Sequence, residues 1–581
     1  MRVSPADATR AAAALLILLA AGTAAGQTGP TPLVPPAVRT APAAPGATTT
    51  PLPQERTAPL PRSTGGVTAR PLPTLDLESA GRTEREGGLG AGLWQGSRWS
   101  TVERALALVP PPATPARHAL SVRLLMSAAA RPEDAPPGRL IERRLERLLA
   151  IGDARAAHAL AGAVPAARLD GPRARLAAEA ALLADSPAEA CKRARADSAD
   201  LADLFWRRLR LACDAVEGRG EQAALGLLVL REEGKEPGPA FVALVEAIAG
   251  RGDKPSIDTP PDPIVLLLAA HAGAALADAA VAGARPAVAA VIARDGRWPA
   301  AQRLAAGERS AARGLVDGGV LATLYAEVPV TAELLADPRA TAAKDKGPAG
   351  RAALFQGARL QIVPLRRLDL LGEGWRHAQA AGIGLAFAAA AAPMVAEVSP
   401  SADLASQAGA AIRILLAADR VGAAARWLSA IGVRPGDGPA MATHGAAAPL
   451  LRLARGEEGP AWNAEAVARW TTGMGGESDP RAAIGLALLA SLGDLAASDA
   501  WLALPAASHA PPPSTSLWFA QEAAAREARL GEQVALALAI LGEAPVPHPL
   551  ASFSALNGLR LAERTPEARR LAVEIALLAG L

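Results

Sequence analysis

The sequence predicts an all-α protein, an irregular right-handed α-solenoid of antiparallel helical hairpins. Three observations predict it. Half of the 581 residues are apolar, but aromatics are only 3 % and alanine dominates the apolar set, so the core must come from thin helices packed close together. Side chains that cap helices recur directly before prolines. Stretches of one length and layout, each a Leu-Leu-Ala followed by a tight turn, return along the chain. A single core stops growing at about 250–300 residues, so a chain of this length is either several domains or an elongated array.

The first residues read as an export signal. Arg2 and Arg10 supply a positive start, Ala11–Ala21 an apolar stretch, and Ala24-Ala25-Gly26 a small-residue cleavage site before Gln27. The apolar stretch is short for a membrane-spanning helix, which needs about 20 residues. The expectation is a Sec-type signal peptide over 1–26 and a periplasmic protein that does not span the membrane after cleavage. The alternative is an inner-membrane anchor made by the uncleaved helix. Residues 27–86 form an expected disordered linker, rich in Pro, Ala and Thr, with too little apolar mass to offset ordering. It reads equally as a tether or as a plain spacer. Gly87–Trp99 contains Gly90, Gly92 and Gly96. Because the charged "RTEREGG" precedes these glycines where a nucleotide loop would need a strand, they read as a glycine-rich entry into the folded part.

From Trp99 to Leu581 the pattern is helical. Ser186-Pro187, Asp262-Pro263, Ser399-Pro400, Asp479-Pro480 and Thr565-Pro566 each set a capping side chain before a proline, which suits an N-cap followed by a first helical residue that needs no N–H. The one strand candidate is "LQIVPL" at Leu360–Leu365. Two long apolar stretches, Ile264–Gly283 and Ala378–Val398, are mostly alanine and glycine and contain Asp278 and Pro393 respectively. They read as buried helices rather than spans.

"LLAIGDARAAHALAGAVP" from Leu148, "LLAADRVGAAARWLSAIG" from Leu415 and "LLASLGDLAASDAWLALP" from Leu488 share one layout. A turn residue (Gly152, Ala418, Gly493) is followed five positions later by a small residue inside the next helix (Ala157, Ala423, Ser498). Ala568 stands in the same relation to Glu563. So short a turn makes the two helices antiparallel neighbours. The small residues let the backbones approach, and Trp427 and Trp501 fill the wider gap beyond. This arrangement resembles the tetratricopeptide-like helical-hairpin solenoids, in which a turn residue precedes a small residue of the second helix by five. The strict 34-residue period of that family is missing, the chain has one tyrosine, and linkers such as Lys344–Gly350 interrupt the array. The array therefore divides into an N-terminal helical-repeat region over 87–343 and a C-terminal one over 344–581.

The two cysteines, Cys191 and Cys213, lie at the ends of a helix–turn–helix stretch. In an exported chain they invite one disulfide, and the alternative is a pair of buried free thiols. Trp206, Arg207 and Arg210 crowd two helical turns with Phe205 and Arg208. Trp and Arg are common at binding hot spots, so this is a possible interaction surface, against an ordinary core tryptophan with solvated arginines.

Lys+Arg 60 against Asp+Glu 57 leaves a charge of +3. The charges are interspersed without a basic run, which excludes a nucleic-acid partner. The seven histidines, His118, His158, His271, His377, His444, His509 and His548, show no metal-ligand spacing. No phosphate loop or nucleophile elbow occurs, so no catalytic residue, metal or cofactor is expected. The exported lytic transglycosylases share an Ala-rich superhelix, but their catalytic glutamate motif is missing. Glu532 and Glu543 read as solvated helix-end charges. The expected function is a non-enzymatic periplasmic scaffold or adaptor that binds an unknown protein or cell-envelope component on its concave surface. The alternatives are a peptidoglycan-acting enzyme or accessory factor, and a structural part of an envelope machine.

Overall fold

The computed structural model describes residues 77–196, 200–431, 438–473, 479–494 and 511–581. The expected signal peptide and residues 27–76 of the expected linker lie outside them, as do Ser498, Trp501 and His509. The described residues are predominantly helical, and their only strands, Ser256–Ile257 and Ala275–Leu276, form one short parallel pair. Leu360–Leu365 is not a strand. The Pro348–Leu360 helix ends there and the Pro364–Ala380 helix begins.

The cap-then-proline signals hold unevenly. Asp262 accepts from the Ile264 and Val265 N–H groups, and Asp479 accepts from Arg481 N–H. Ser186 stands at its cap without a side-chain bond, and Thr565 is already the first helical residue. Ser399 starts no helix, because the chain turns first through the Ala402–Leu404 3-10 segment. Thr114 and Asp337, both before prolines, also cap helices, with Arg117 N–H and Ala340 N–H as donors.

The repeated turn has one backbone geometry. Its central residue is left-handed: Gly152 (φ +91°), Asp185 (60°), Gly218 (83°), Asp419 (58°), Glu563 (59°). The next N–H then reaches back five residues, as from Asp153 to the Leu148 carbonyl at 2.9 Å, Arg420 to Leu415 at 2.8 Å and Arg564 to Leu559 at 2.8 Å. This is the Schellman closure of a helix end. Five residues after each of these five positions stands a fully buried alanine: Ala157, Ala190, Ala223, Ala424 and Ala568. The same closure at Gly314, Gly382 and Ala528 is instead followed at that spacing by Gly319, Phe387 and Gln533. The spacing of five is therefore real, but in the Leu415 stretch it is measured from Asp419, not Ala418. The fully buried contact is Ala424, and Ala423 beside it is only half-buried. Trp427 fills the gap as a core residue, and Gly493 takes the left-handed turn (φ +103°).

Most helices pack on their sequence neighbours, but Gly318–Glu327 also packs on Gly384–Ala396, and Pro480–Ser491 packs mainly on Pro549–Leu561. The helices on either side of residue 344, Pro338–Lys344 and Pro348–Leu360, pack together as well. The Gly384–Ala396 helix is buried nearly all round. Among the described residues no helix is long and apolar enough to cross a membrane. Cys191 and Cys213 are joined by a disulfide between the Pro187–Ala194 and Leu204–Val216 helices. Closing a loop of this length stabilises the fold by roughly 3 kcal/mol in the chain-entropy model.

Ordered structure begins before residue 87. Glu78 is fully buried, and its carboxylate accepts from Gly138 and Ile141 N–H, both at 2.7 Å, capping the Arg139–Ala150 helix. Buried Arg144 donates to the Glu78 and Ala80 carbonyls. Composition placed the boundary at 86 because these few residues look polar, yet their polar groups are the ones engaged.

The two ends of the succession also meet. The Trp99–Leu108 helix packs on Leu530–Leu541, and the Pro115–Met126 helix packs on both Leu530–Leu541 and Thr565–Leu578. Gly531 donates to the Leu93 carbonyl at 2.9 Å, with the Trp94 ring lying where its Cβ would be.

The left-handed turns make a direct test. A Cβ on Gly152 would meet Leu315 and Pro286 at 3.0 Å, so Gly152→Ala should cost about 2 kcal/mol or more. Glu563 is exposed, and Glu563→Gly should add about 0.5–1 kcal/mol. Denaturant unfolding of both variants checks the opposite signs.

Candidate functional site

Where the two ends meet, a cleft of about 560 Å³ opens between the Pro115–Met126 helix, the Thr565–Leu578 helix and the turn at Asp419. Its floor is apolar, with Leu120, Leu416, Val421, Ala454 and Val573. Its polar groups are held from several sides.

Glu574 sits inside the apolar run of its helix and is buried. Both of its oxygens accept from Ala116 N–H, at 3.0 and 2.9 Å, at the open N-terminus of the Pro115–Met126 helix, where unsatisfied N–H groups favour a carboxylate. Burial nevertheless raises its pKa, against the lowering effects of Thr114, Ala116, Arg570 and Arg117. Arg117, one residue on, is buried beneath the loop after the Leu530–Leu541 helix. It donates to the carbonyls of Gly542 at 3.1 Å, Ala544 at 2.7 Å and Pro545 at 3.1 Å. Burial brings its pKa down to about 10, so it stays charged at neutral pH.

At the rim Arg123 pairs with Glu567 and donates to the Gly87 carbonyl at 2.9 Å. Arg569 donates to the Leu453 carbonyl at 3.2 Å. Arg570 stands 3.7 Å from Asp419, the left-handed turn residue. Every charged group of the lining thus has a protein partner, and the uncommitted surface is apolar.

The other sequence-derived candidates are placed elsewhere. Trp206 is buried edge-on against Phe205. Arg207 is engaged by Glu233, and Arg210 donates to the Ala194 carbonyl at 2.6 Å, holding the end of the preceding helix. The three do not form a free interaction surface, because the tryptophan fills the space between hairpins and the arginines cap and brace it. Glu532 is not a solvated helix-end charge. It is buried, with Arg529 3.4 Å away, while Glu543 is exposed as expected of a helix-end charge.

His118 stands 3.1 Å from Asp153, whose carboxyl is held low: burial raises it, and the His118 contact and Ala156 N–H outweigh that. His377 lies 3.2 Å from Glu373, and His548 accepts from Leu550 N–H at its own helix start. A second buried group, Glu308 with Arg351 and the single tyrosine Tyr325, is closed on itself. Arg351 binds both Glu308 oxygens, and Tyr325 donates to one of them at 2.7 Å. No three His, Cys, Asp or Glu side chains among the described residues are placed to hold a metal ion.

Sequence reading missed Glu574 and Arg117. The signal existed: a single charge inside "LAVEIALL", and an arginine directly behind a Thr-Pro cap. Only contact between the early and late helices of the described succession gives either a role.

No protein-family model, curated protein or solved structure matches this chain. Its own turns and contacts define it as a helical-repeat protein in which helices from the two ends of the described succession pack together.

Glu574 supplies a pH test. Its proton is held more tightly in the fold than in the unfolded chain, so its ionisation subtracts stability as pH rises above about 4.5. The stability of Glu574→Gln relative to wild type should therefore climb from pH 4.5 toward neutrality, by at most about 1.4 kcal/mol per pH unit. Urea unfolding of both proteins across that range would show it, and a flat difference would remove burial as the cause.

Proposed function

We propose that this chain is an exported, periplasmic, non-enzymatic binding protein. Its solenoid-like succession of hairpins acts as a scaffold for a protein partner of the cell envelope. The observation that carries the reading is the cleft at the junction of the two ends. Its floor is apolar, and its carboxylates and guanidinium groups are already committed to backbone N–H groups, carbonyls or one another. Groups fixed in that way orient a ligand better than they move protons. A volume of about 560 Å³ suits a few apolar side chains of a partner segment, anchored as a buried hot spot inside a polar rim. The helices around it supply the extended surface on which stacked hairpins bind other proteins.

Ala119 lines the cleft and is exposed, whereas Glu236 is exposed far from it in sequence and outside the lining. A photo-crosslinking residue at Ala119 should capture a discrete partner from a periplasmic extract, and the same residue at Glu236 should not. Recovery of uncrosslinked protein alone from both positions, or identical products from both, would contradict the proposal.

A further inference from the structure

The connection between the Pro348–Leu360 and Pro364–Ala380 helices presents the most exposed large aliphatic side chain of the described residues. Ile362 is 91 % exposed and Leu360 67 %, with Val363 and Leu365 also exposed. Four aliphatic side chains within six residues, all turned outward, exceed the scattered single exposures normal for a surface.

The outward pose is built in. Arg367 donates through Nε and Nη2 to the Gln361 carbonyl, at 3.1 and 2.9 Å, and through Nη1 to Glu397 at 3.1 Å. The loop backbone is therefore tied to the body at the Gln361 carbonyl. Pro364 fixes the start of the next helix, and Leu368, one turn on, is buried. The apolar tip is thus held out from the body.

Its flanks are basic. Arg359 and Arg366 bracket the aliphatic run, both are exposed, and neither has an ion pair among the described residues. The acidic groups beside them are occupied, Glu397 by Arg367 and Asp369 by Arg339. The exposed tip therefore offers aliphatic side chains between two uncommitted positive charges.

We propose that the Leu360–Leu365 tip docks this protein peripherally on an anionic lipid bilayer. Ile362 and its neighbours enter the acyl boundary, and Arg359 and Arg366 remain at the level of the phosphates. The tip is a convex turn between two helices, which fits insertion into a deformable apolar phase. Two arginines flanking the apolar group match a negative surface, where each basic residue near the headgroups adds attraction. Guanidinium groups pair with phosphate oxygens in two-point fashion while their stems stay in apolar surroundings.

The test is co-sedimentation of the full chain with phosphatidylcholine vesicles and with vesicles in which about one third of the lipid is phosphatidylglycerol. Wild type should bind the anionic vesicles and weaken with added salt. Ile362→Asp should lower that partitioning by about tenfold or more, and Arg359→Glu with Arg366→Glu by at least roughly thirtyfold on anionic vesicles. All three side chains are exposed, so circular dichroism and the melting temperature should stay at wild-type values, keeping a lost fold distinct from a lost contact. The proposal fails if wild type binds neither vesicle, if Ile362→Asp binds as wild type does, or if the arginine changes act equally on both lipids. It also fails if a crosslinker at Ile362 captures a protein while the vesicles capture nothing, since the tip would then be a protein contact.

Discussion

A succession of helices that meets itself must hide the polar groups of the junction, and here one residue pair does most of that. Glu574 carries a carboxylate into an apolar helix interface, and Ala116 supplies the unsatisfied N–H of a helix start to meet it. Arg117 answers the carbonyls of the loop that follows the neighbouring C-terminal helix. Removing one side of such an arrangement leaves a buried group without its partner, which costs about 1–3 kcal/mol or more. The cleft exists because this seam is held, since two of its walls are the helices that the seam joins. Its committed charges and free apolar floor are consequences of the same closure.

The rest of the stack depends on simpler physics. Left-handed turns closed by a backward N–H bond bring consecutive helices together, and at five of them an alanine five residues on lets the helices touch. Asp185, Asp419 and Glu563 take the same left-handed geometry without the freedom of glycine. A non-glycine residue loses about 1–2 kcal/mol in that conformation, so the turn's bonds and the packing that follows must outweigh the loss. The geometry is the constant of the repeat, and the residue type at the turn varies.

That explains how much was legible in the sequence. Helical class, several caps and the spacing of five were readable because each is local. Residue identity misled where geometry differs from it. The Leu415 stretch was counted from Ala418 because alanine looks like a turn's small residue, whereas the chain turns at Asp419. Trp206, Arg207 and Arg210 looked like a binding surface because composition does not say which face of a helix is covered. Glu78 looked like linker and caps a helix some 60 residues on. Glu574 and Arg117 were unreadable as a pair because they act across a sequence separation of over four hundred residues, which no periodicity records.

The central claim is that the Pro115–Met126 and Thr565–Leu578 helices hold each other through Glu574. Hydrogen exchange of peptides covering Pro115–Met126 and Thr565–Leu578, in wild type and in Glu574→Ala, tests it most directly. The account expects slow exchange of both in wild type and a joint acceleration in the variant, with Pro286–Arg294 unchanged. Rapid exchange of Pro115–Met126 in wild type, or acceleration of one helix without the other, would contradict it.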